Sequence, residues 1–384
     1  MHESDAPVRR LLPSALWRAG AALLAGALSL LLSRAVFRGA YLTADEAAYE
    51  FQANCFRDGV VARPLPPIHP VFAHKMILLR LETGWLSRYT PGHALWLLPG
   101  AWVGAPRLMA AVAAALSVWF LTGCGLRLGI RPWLLAALLL ASPYFLFMYG
   151  TLLSHTSALA CFAAFLWAYM GWAATRRPGY ALAGAAAGAW LILIRNYTGL
   201  LLLAPFALHG LADGCRQRTR AVWTGLAILA SGGAAAALLQ ALYQLLATGD
   251  PLLSPYLLYN PRETLGFGYR FMFSHHGHYT WQEGARHLLA SLRLLDLWAW
   301  GIRGTLPALA ALWALGWRRP WSPLLGAAAA AIWGGYVLFS SRTMDTIGPY
   351  YYFCTFSCLA LIAGMGLERL AAWMAQRVRR PLRR

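Results

Sequence analysis

The chain has 384 residues, of which 59% are hydrophobic and 12% are charged, and its formal net charge is +19. Soluble domains carry about twice that share of charged residues, and apolar runs of about 18 or more residues recur here, each long enough to cross a bilayer. This composition excludes an ordinary soluble domain. The arginines stand in short clusters between apolar runs, as they do in cytoplasmic loops, so the positive charge does not indicate a nucleic-acid partner.

The apolar pattern predicts an all-α membrane protein in which residues 1–384 form a single polytopic domain. About ten transmembrane helices are expected, near residues 16–36, 108–126, 133–149, 157–174, 181–194, 199–211, 221–246, 301–317, 324–339 and 351–370. Two long polar stretches, 38–106 and 248–300, are predicted to be extracytoplasmic loops. Basic residues concentrate in the short alternate connections and in both tails, which predicts cytoplasmic termini.

The first loop begins with an unusual group of acids, since Asp45, Glu46 and Glu50 fall within six positions of a chain that is otherwise apolar or basic. Carboxylates beside a membrane are costly unless they are paired or take part in function. Asp45 and Glu46 could therefore bind a divalent cation, or remove a proton from an attacking hydroxyl. The alternative is that both acids cap a helix that starts near Ala47.

The rest of the first loop carries cations and histidines, among them Lys75, Arg88 and His93. Arg88 and Tyr89 lie on a turn before His93–Val103, an apolar segment that is too short to cross and is predicted to lie on the membrane surface. Guanidinium groups make paired, charge-assisted bonds to phosphate oxygens. Binding to anionic headgroups is the competing interpretation of the same residues.

Polar residues also occur at the predicted outer ends of two helical hairpins, where His155, Arg195 and Tyr197 could face a shared cavity. The alternatives are a helix cap or an interhelical hydrogen bond for His155, and snorkelling for Arg195.

The second loop contains three histidines within four positions, the last of them His278. Without flanking Cys or helical spacing this is a weak metal signal, and a cap in which His278 contacts sugar or phosphate is favoured instead. Before the last span, Arg342 and Tyr351 could complete the cavity, although an aromatic belt also explains the tyrosines there.

In their order along the chain, these motifs resemble the polytopic glycosyltransferases of the GT-C class, relatives of bacterial aminoarabinose transferase and protein O-mannosyltransferases. The matching motifs are Asp45-Glu46 after the first span, Arg88-Tyr89-Thr90-Pro91-Gly92, Leu153-Ser154-His155-Thr156, Arg195 to Thr198, Gly249-Asp250-Pro251-Leu252 and Gly348-Pro349-Tyr350-Tyr351. The sequence departs from the family at Tyr350 and Phe353, where a basic and an acidic residue are expected.

The resemblance implies a multi-pass enzyme of the bacterial inner membrane that transfers sugar from a polyprenyl phosphate donor to a lipid, glycan or protein acceptor, with inversion. Asp45 would be the general base and Glu46 its neighbour or a metal ligand. Lys75, Arg88, Tyr89, Arg195 or Arg342 would hold the phosphate. No cofactor is implied beyond a divalent cation at Asp45 and Glu46. The alternative is a transporter or flippase of a lipid-linked saccharide, which would use the same arginines and have no need of Asp45 as a base.

Overall fold

The computed structural model describes residues 6–67, 71, 74–80, 82–272, 275–341 and 347–379. These residues are mostly helical. The α-helices, in chain order from α1 to α15, are Ala6–Ala35, Ala44–Arg57, Pro91–Trp102, Arg107–Arg127, Pro132–Leu140, Pro143–Tyr149, Ser154–Thr175, Pro178–Ile194, Asn196–Gln217, Arg220–Thr248, Pro255–Tyr259, Trp281–Trp298, Thr305–Gly316, Ser322–Gly335 and Thr355–Arg379.

Two antiparallel hairpins interrupt this helical architecture, one in each long loop. β1 (Ile77–Arg80) pairs with β2 (Gly84–Ser87), and β3 (Gly268–Met272) pairs with β4 (His275–Tyr279). The prediction of an all-α protein is therefore correct for the membrane part and wrong for the loops, where short strands were not expected.

Six of the described helices are long and apolar enough to cross a membrane, namely α1, α4, α7, α9, α10 and α15. A seventh candidate span is broken into α5 and α6, which meet at an angle of 69°. The break precedes Pro143, which has no amide hydrogen and disfavours helical geometry at the residue before it. Ser142 is accordingly extended, and its hydroxyl caps α6 by accepting from the Phe145 amide at 3.1 Å.

The remaining predicted spans coincide with the shorter apolar helices α8, α13 and α14. The chain is thus a multi-pass membrane protein, as predicted, while the count of ten spans stays a prediction because these three helices are short. Small residues allow the helices to pack closely: a Cβ atom added to Gly232 of α10 would lie 2.5 Å from the Ala185 carbonyl oxygen of α8.

The two long loops contain more regular structure than their polar sequences indicate. The first holds α2, the β1–β2 hairpin and α3, and α3 coincides with the predicted surface helix. The second holds α11, the β3–β4 hairpin and the 18-residue helix α12. Arg80 of β1 donates to the Leu258 carbonyl at 2.6 Å, so the two loops are in contact.

Candidate active site

A cavity of about 1240 Å³ lies between the two long loops and the adjoining ends of α7, α9 and α10. Its wall includes many of the residues that the sequence singled out: Asp45, Lys75, Arg88, Tyr89, His155, Arg195, Tyr197 and Tyr351. Residues separated by some 300 positions in the chain therefore meet in one space.

Asp45 lies in the first turn of α2, and its carboxylate accepts a hydrogen bond from the Tyr89 hydroxyl. Burial raises the pKa of Asp45, and the Tyr89 hydrogen bond and the Arg195 and Arg88 guanidinium groups offset only part of that shift. An ionised carboxylate with a raised pKa and a single hydrogen-bond donor is a stronger base than an ordinary surface aspartate.

The position of Tyr89 is set by neighbours on two other elements. Its carbonyl accepts from Gln52 Nε2 of α2 at 3.1 Å and from the Tyr243 hydroxyl of α10 at 3.0 Å. The first turn of α3 packs directly on the end of α8, where a Cβ atom added to Gly92 would lie 2.4 Å from the Leu193 carbonyl carbon. Glycine is therefore required at this position of α3 for a steric reason.

Glu46 faces away from the cavity and has no exposed surface. Its carboxylate accepts from the backbone amides of Leu42 at 2.8 Å, Thr43 at 3.2 Å and Leu152 at 2.8 Å. It completes a capping box with Thr43 and ties α2 to the turn before α7. The observed contacts of Glu46 are therefore those of a helix cap, which is the alternative that the sequence left open. In the described part of the chain, no group of three His, Cys, Asp or Glu residues could hold a metal ion.

Arg88 forms a nearly fully buried ion pair with Glu263, a residue of the second loop that the sequence did not single out. The Arg88 guanidinium also lies over the rings of Tyr256, at 3.9 Å, and Tyr259, at 4.6 Å. Burial raises the pKa of Glu263, and Arg88 opposes that shift. Arg88 therefore already has an anionic partner and joins the two loops at the cavity wall.

Arg195 lies at the break between α8 and α9 and is held by neutral groups. Its guanidinium donates to Ser154 Oγ at 3.0 Å, Thr198 Oγ1 at 3.2 Å and the Tyr336 hydroxyl at 3.2 Å. Among the described residues no carboxylate forms an ion pair with it. Its positive charge faces the cavity without an anionic partner in direct contact, which is the arrangement that suits a phosphate.

Tyrosines form the wall beside Arg195. Tyr351 stacks on Tyr336 with ring centroids 5.2 Å apart, and Arg195 lies 5.8 Å from the Tyr351 ring centre. Tyr350 contacts His155 edge-on at 5.1 Å. The Tyr197 hydroxyl donates to the Gly335 carbonyl at 2.5 Å, which fixes its ring on the same side.

Besides Glu46, the predicted site residues His93 and His278 do not line this cavity. His93 is buried behind it, with its ring nitrogens 2.7 Å from Ser157 Oγ and 2.8 Å from the Leu152 carbonyl oxygen, where it supports the packing of α3 on α7. His278 is exposed on β4, because the strand alternates and Tyr279 takes the inward side. Arg342 falls outside the described residues, next to Ser341, which lines the cavity.

Crystal structures of ArnT from Cupriavidus metallidurans share this fold. The structure bound to undecaprenyl phosphate matches with a TM-score of 0.55 and 17% identity, over 98% of this chain and 63% of the ArnT chain. The apo structure matches with a TM-score of 0.53 and 20% identity, over 87% and 57%. The chain thus spans about three fifths of the length of the ArnT chains.

No protein-family model matches the sequence, and no curated protein does either. At these identities the likeness to the solved structures establishes the fold alone. The GT-C resemblance predicted from the order of the motifs is confirmed at that level: this multi-pass chain has a fold similar to that of ArnT, an aminoarabinose transferase of the GT-C class.

Proposed function

We propose that this protein is an integral membrane glycosyltransferase that moves a sugar from a polyprenyl-phosphate-linked donor to an acceptor on the extracytoplasmic face. The observation that carries the proposal is that one cavity is lined both by a carboxylate with a raised pKa, Asp45, and by a cation, Arg195, whose hydrogen-bond partners among the described residues are all neutral. Transfer from a phosphate needs a base for the attacking hydroxyl and a positive charge for the leaving group.

In the proposed reaction, Asp45 takes the proton of the acceptor hydroxyl while the acceptor oxygen forms a bond to the anomeric carbon. The bond between that carbon and the phosphate oxygen breaks, and its electron pair stays on the phosphate. Arg195 stabilises the negative charge that develops there. Attack from the face opposite the phosphate inverts the anomeric centre. Tyr89 orients the Asp45 carboxylate through its hydroxyl.

Several features support this assignment of roles. Arg195 is favoured over Arg88 as the phosphate ligand because Arg88 is already paired with Glu263. Lys75 lines the same cavity and is proposed as a second contact to phosphate. The undecaprenyl phosphate bound in one ArnT structure supports a polyprenyl phosphate donor on a chain of similar fold.

The acceptor is proposed to be a lipid, a glycan or a protein, and the membrane the bacterial inner membrane with both termini in the cytoplasm. A divalent cation would have Asp45 as its ligand in the cavity, since the oxygens of Glu46 are taken by backbone amides. The competing function is a transporter or flippase of a lipid-linked saccharide, which the size and positive lining of the cavity also suit.

The test is sugar transfer by the purified protein from a panel of radiolabelled polyprenyl phosphate sugars, with and without a chelator, beside the Asp45→Asn variant. The proposal expects one donor to be consumed by the wild type and consumption to fall by about 10²–10⁴-fold in the variant, which is the usual contribution of a general base. Tight donor binding by both proteins with no consumption of any donor would support the transporter instead.

A further inference from the structure

Two histidines with equal burial have opposite hydrogen-bond environments. His93 and His155 are 1% and 2% exposed. Both ring nitrogens of His93 lie within hydrogen-bond distance of a protein oxygen. Neither ring nitrogen of His155 has a hydrogen-bond partner among the described residues. Since buried polar groups are almost always satisfied, the His155 ring requires a partner that the described chain does not supply.

His155 faces the cavity from the first turn of α7. Its ring lies against Tyr350 at 5.1 Å and Tyr351 at 6.0 Å, and the hydroxyl of the preceding residue, Ser154, binds Arg195. The buried imidazole forms no ion pair with a described carboxylate, and a buried charge without a partner is costly, so the ring is neutral. A neutral imidazole has one N–H donor and one acceptor nitrogen, so its missing partner must be able both to donate and to accept.

The side-chain amide oxygen of Gln240 in α10, an acceptor that also lines the cavity, likewise lacks a hydrogen-bond partner among the described residues. An ionised phosphate has acceptors only and therefore could not satisfy Gln240 Oε1 or the acceptor nitrogen of His155. A saccharide can satisfy all of them, because each of its hydroxyls both donates and accepts.

We infer that the cavity beside His155 is the subsite for the sugar ring, with His155 bonded to the sugar hydroxyls and Tyr350 and Tyr351 forming its apolar wall. This inference rests on the proposed function and adds to it the residue that recognises the sugar rather than the lipid phosphate. Aromatic walls with a few convergent polar groups are typical of small-molecule sites. His155 then favours sugars whose hydroxyls reach both nitrogens.

The experiment measures thermal unfolding and lipid binding for the full-length protein in detergent. The probes are a short-chain polyprenyl phosphate monosaccharide, carrying the sugar that the donor panel selects or a mixture if none is selected, and the same polyprenyl phosphate without sugar. His155→Phe removes both polar nitrogens and keeps a planar ring. His155→Asn keeps one donor and one acceptor. His93→Phe is the matched control, because its nitrogens already have partners in the protein.

We expect His155→Phe to unfold at the wild-type temperature or above it, since the substitution removes an unsatisfied buried polar group, and His93→Phe to unfold at a lower temperature. The wild type should prefer the sugar-bearing lipid. In His155→Phe the ratio of the two affinities should fall about tenfold, the equivalent of one or two neutral hydrogen bonds. Its affinity for the sugar-free lipid should stay at the wild-type value. His155→Asn should restore part of it.

The inference is overturned if His155→Phe unfolds as early as His93→Phe, or if it binds the sugar-bearing lipid with the wild-type preference. Equal affinity of the wild type for both lipids would also overturn the sugar subsite while leaving phosphate binding intact. Failure of the wild type to bind either lipid would instead remove the proposed function on which the subsite rests.

Discussion

The two arginines that line the cavity, Arg88 and Arg195, differ in what surrounds them. Arg88 is paired with Glu263 and lies over two tyrosine rings. Arg195 is held by three hydroxyl groups and makes no ion pair within the described chain. A buried cation with an internal anion joins parts of a structure, whereas a cation among neutral donors and acceptors attracts an external anion. We therefore propose that Arg88 joins the two loops and that Arg195 binds the phosphate of the proposed donor.

The largest expected effect comes from breaking the Arg88 ion pair. Arg88→Met leaves Glu263 as an uncompensated buried carboxylate, which should lower the free energy of unfolding by about 3–5 kcal/mol. The double variant Arg88→Met with Glu263→Leu should recover most of this loss, because no buried charge remains. Thermal unfolding in detergent checks both. Equal stability of the single variant and the wild type would show that Arg88 does not need its partner.

A slightly smaller effect, in activity rather than stability, is expected at Arg195. Arg195→Gln removes the charge that faces the leaving group and should lower kcat/KM by about 10²–10³-fold, as loss of one stabilising donor does in other enzymes. Arg195→Lys should retain part of the activity. The double variant Arg88→Met with Glu263→Leu serves as the control, because it removes the other cavity arginine together with its ion-pair partner. If Arg195→Gln transfers sugar at the wild-type rate while the double variant does not, the assignment of the two arginines is reversed.

Asp45 and Glu46 give a second comparison, between neighbouring carboxylates with different hydrogen-bond partners. Burial raises the pKa of both, but Glu46→Gln replaces one of two oxygens that accept from backbone amides, so it leaves a buried amide without an acceptor and should cost about 1–3 kcal/mol. Because the folded protein raises the pKa of Asp45, ionisation of Asp45 opposes folding: the contribution of Asp45 to stability is greatest below its unfolded pKa and is lost as the pH rises through the folded one.

Asp45→Asn should therefore be more stable than the wild type at neutral pH, and the difference should vanish in acid. Unfolding temperatures of Asp45→Asn and the wild type between about pH 3, below the ordinary aspartate pKa, and about pH 8 would test this. Loss of stability in Asp45→Asn at neutral pH would mean that the carboxylate is structural.

The smallest effect is expected for Tyr89→Phe, which removes only the hydroxyl that donates to Asp45. That hydrogen bond lowers the pKa of Asp45. Without it the pKa should rise further, so the variant should need a higher pH to reach full activity. It should also lose about fivefold in kcat/KM, about 1 kcal/mol, because the carboxylate is less well oriented. A profile that shifts to lower pH would contradict this role of Tyr89.

Much of this arrangement could be predicted from local sequence features. Runs of apolar residues locate helices, and acids directly after the first span place Asp45 beside the membrane. The sequence could not show which of Asp45 and Glu46 faces the cavity. That choice depends on the capping box at the start of α2 and on the backbone amide of Leu152, which is distant in the chain.

The sequence could not distinguish the roles of Arg88 and Arg195 either, because a distant partner again decides them. Arg88 pairs with Glu263, which lies 175 positions further along the chain in a loop that the sequence describes only as polar. The capping box Thr280–Glu283 and the amphipathic pattern of Trp281–Trp298 are local sequence signals for helix α12, which lies within the predicted second loop. The exposed position of His278 could not be predicted, because the alternation of the short β3–β4 hairpin decides which face of the strand it occupies.

The most direct test of the central claim is the pH dependence of kcat/KM for sugar transfer by the wild type and by Asp45→Asn. If Asp45 is the general base, wild-type activity rises with pH to a plateau, with its inflection above the ordinary aspartate pKa of about 3.9, because the pKa of Asp45 is raised. The variant then stays near background across the whole range. Wild-type rates in Asp45→Asn, with the same pH profile, would contradict the claim.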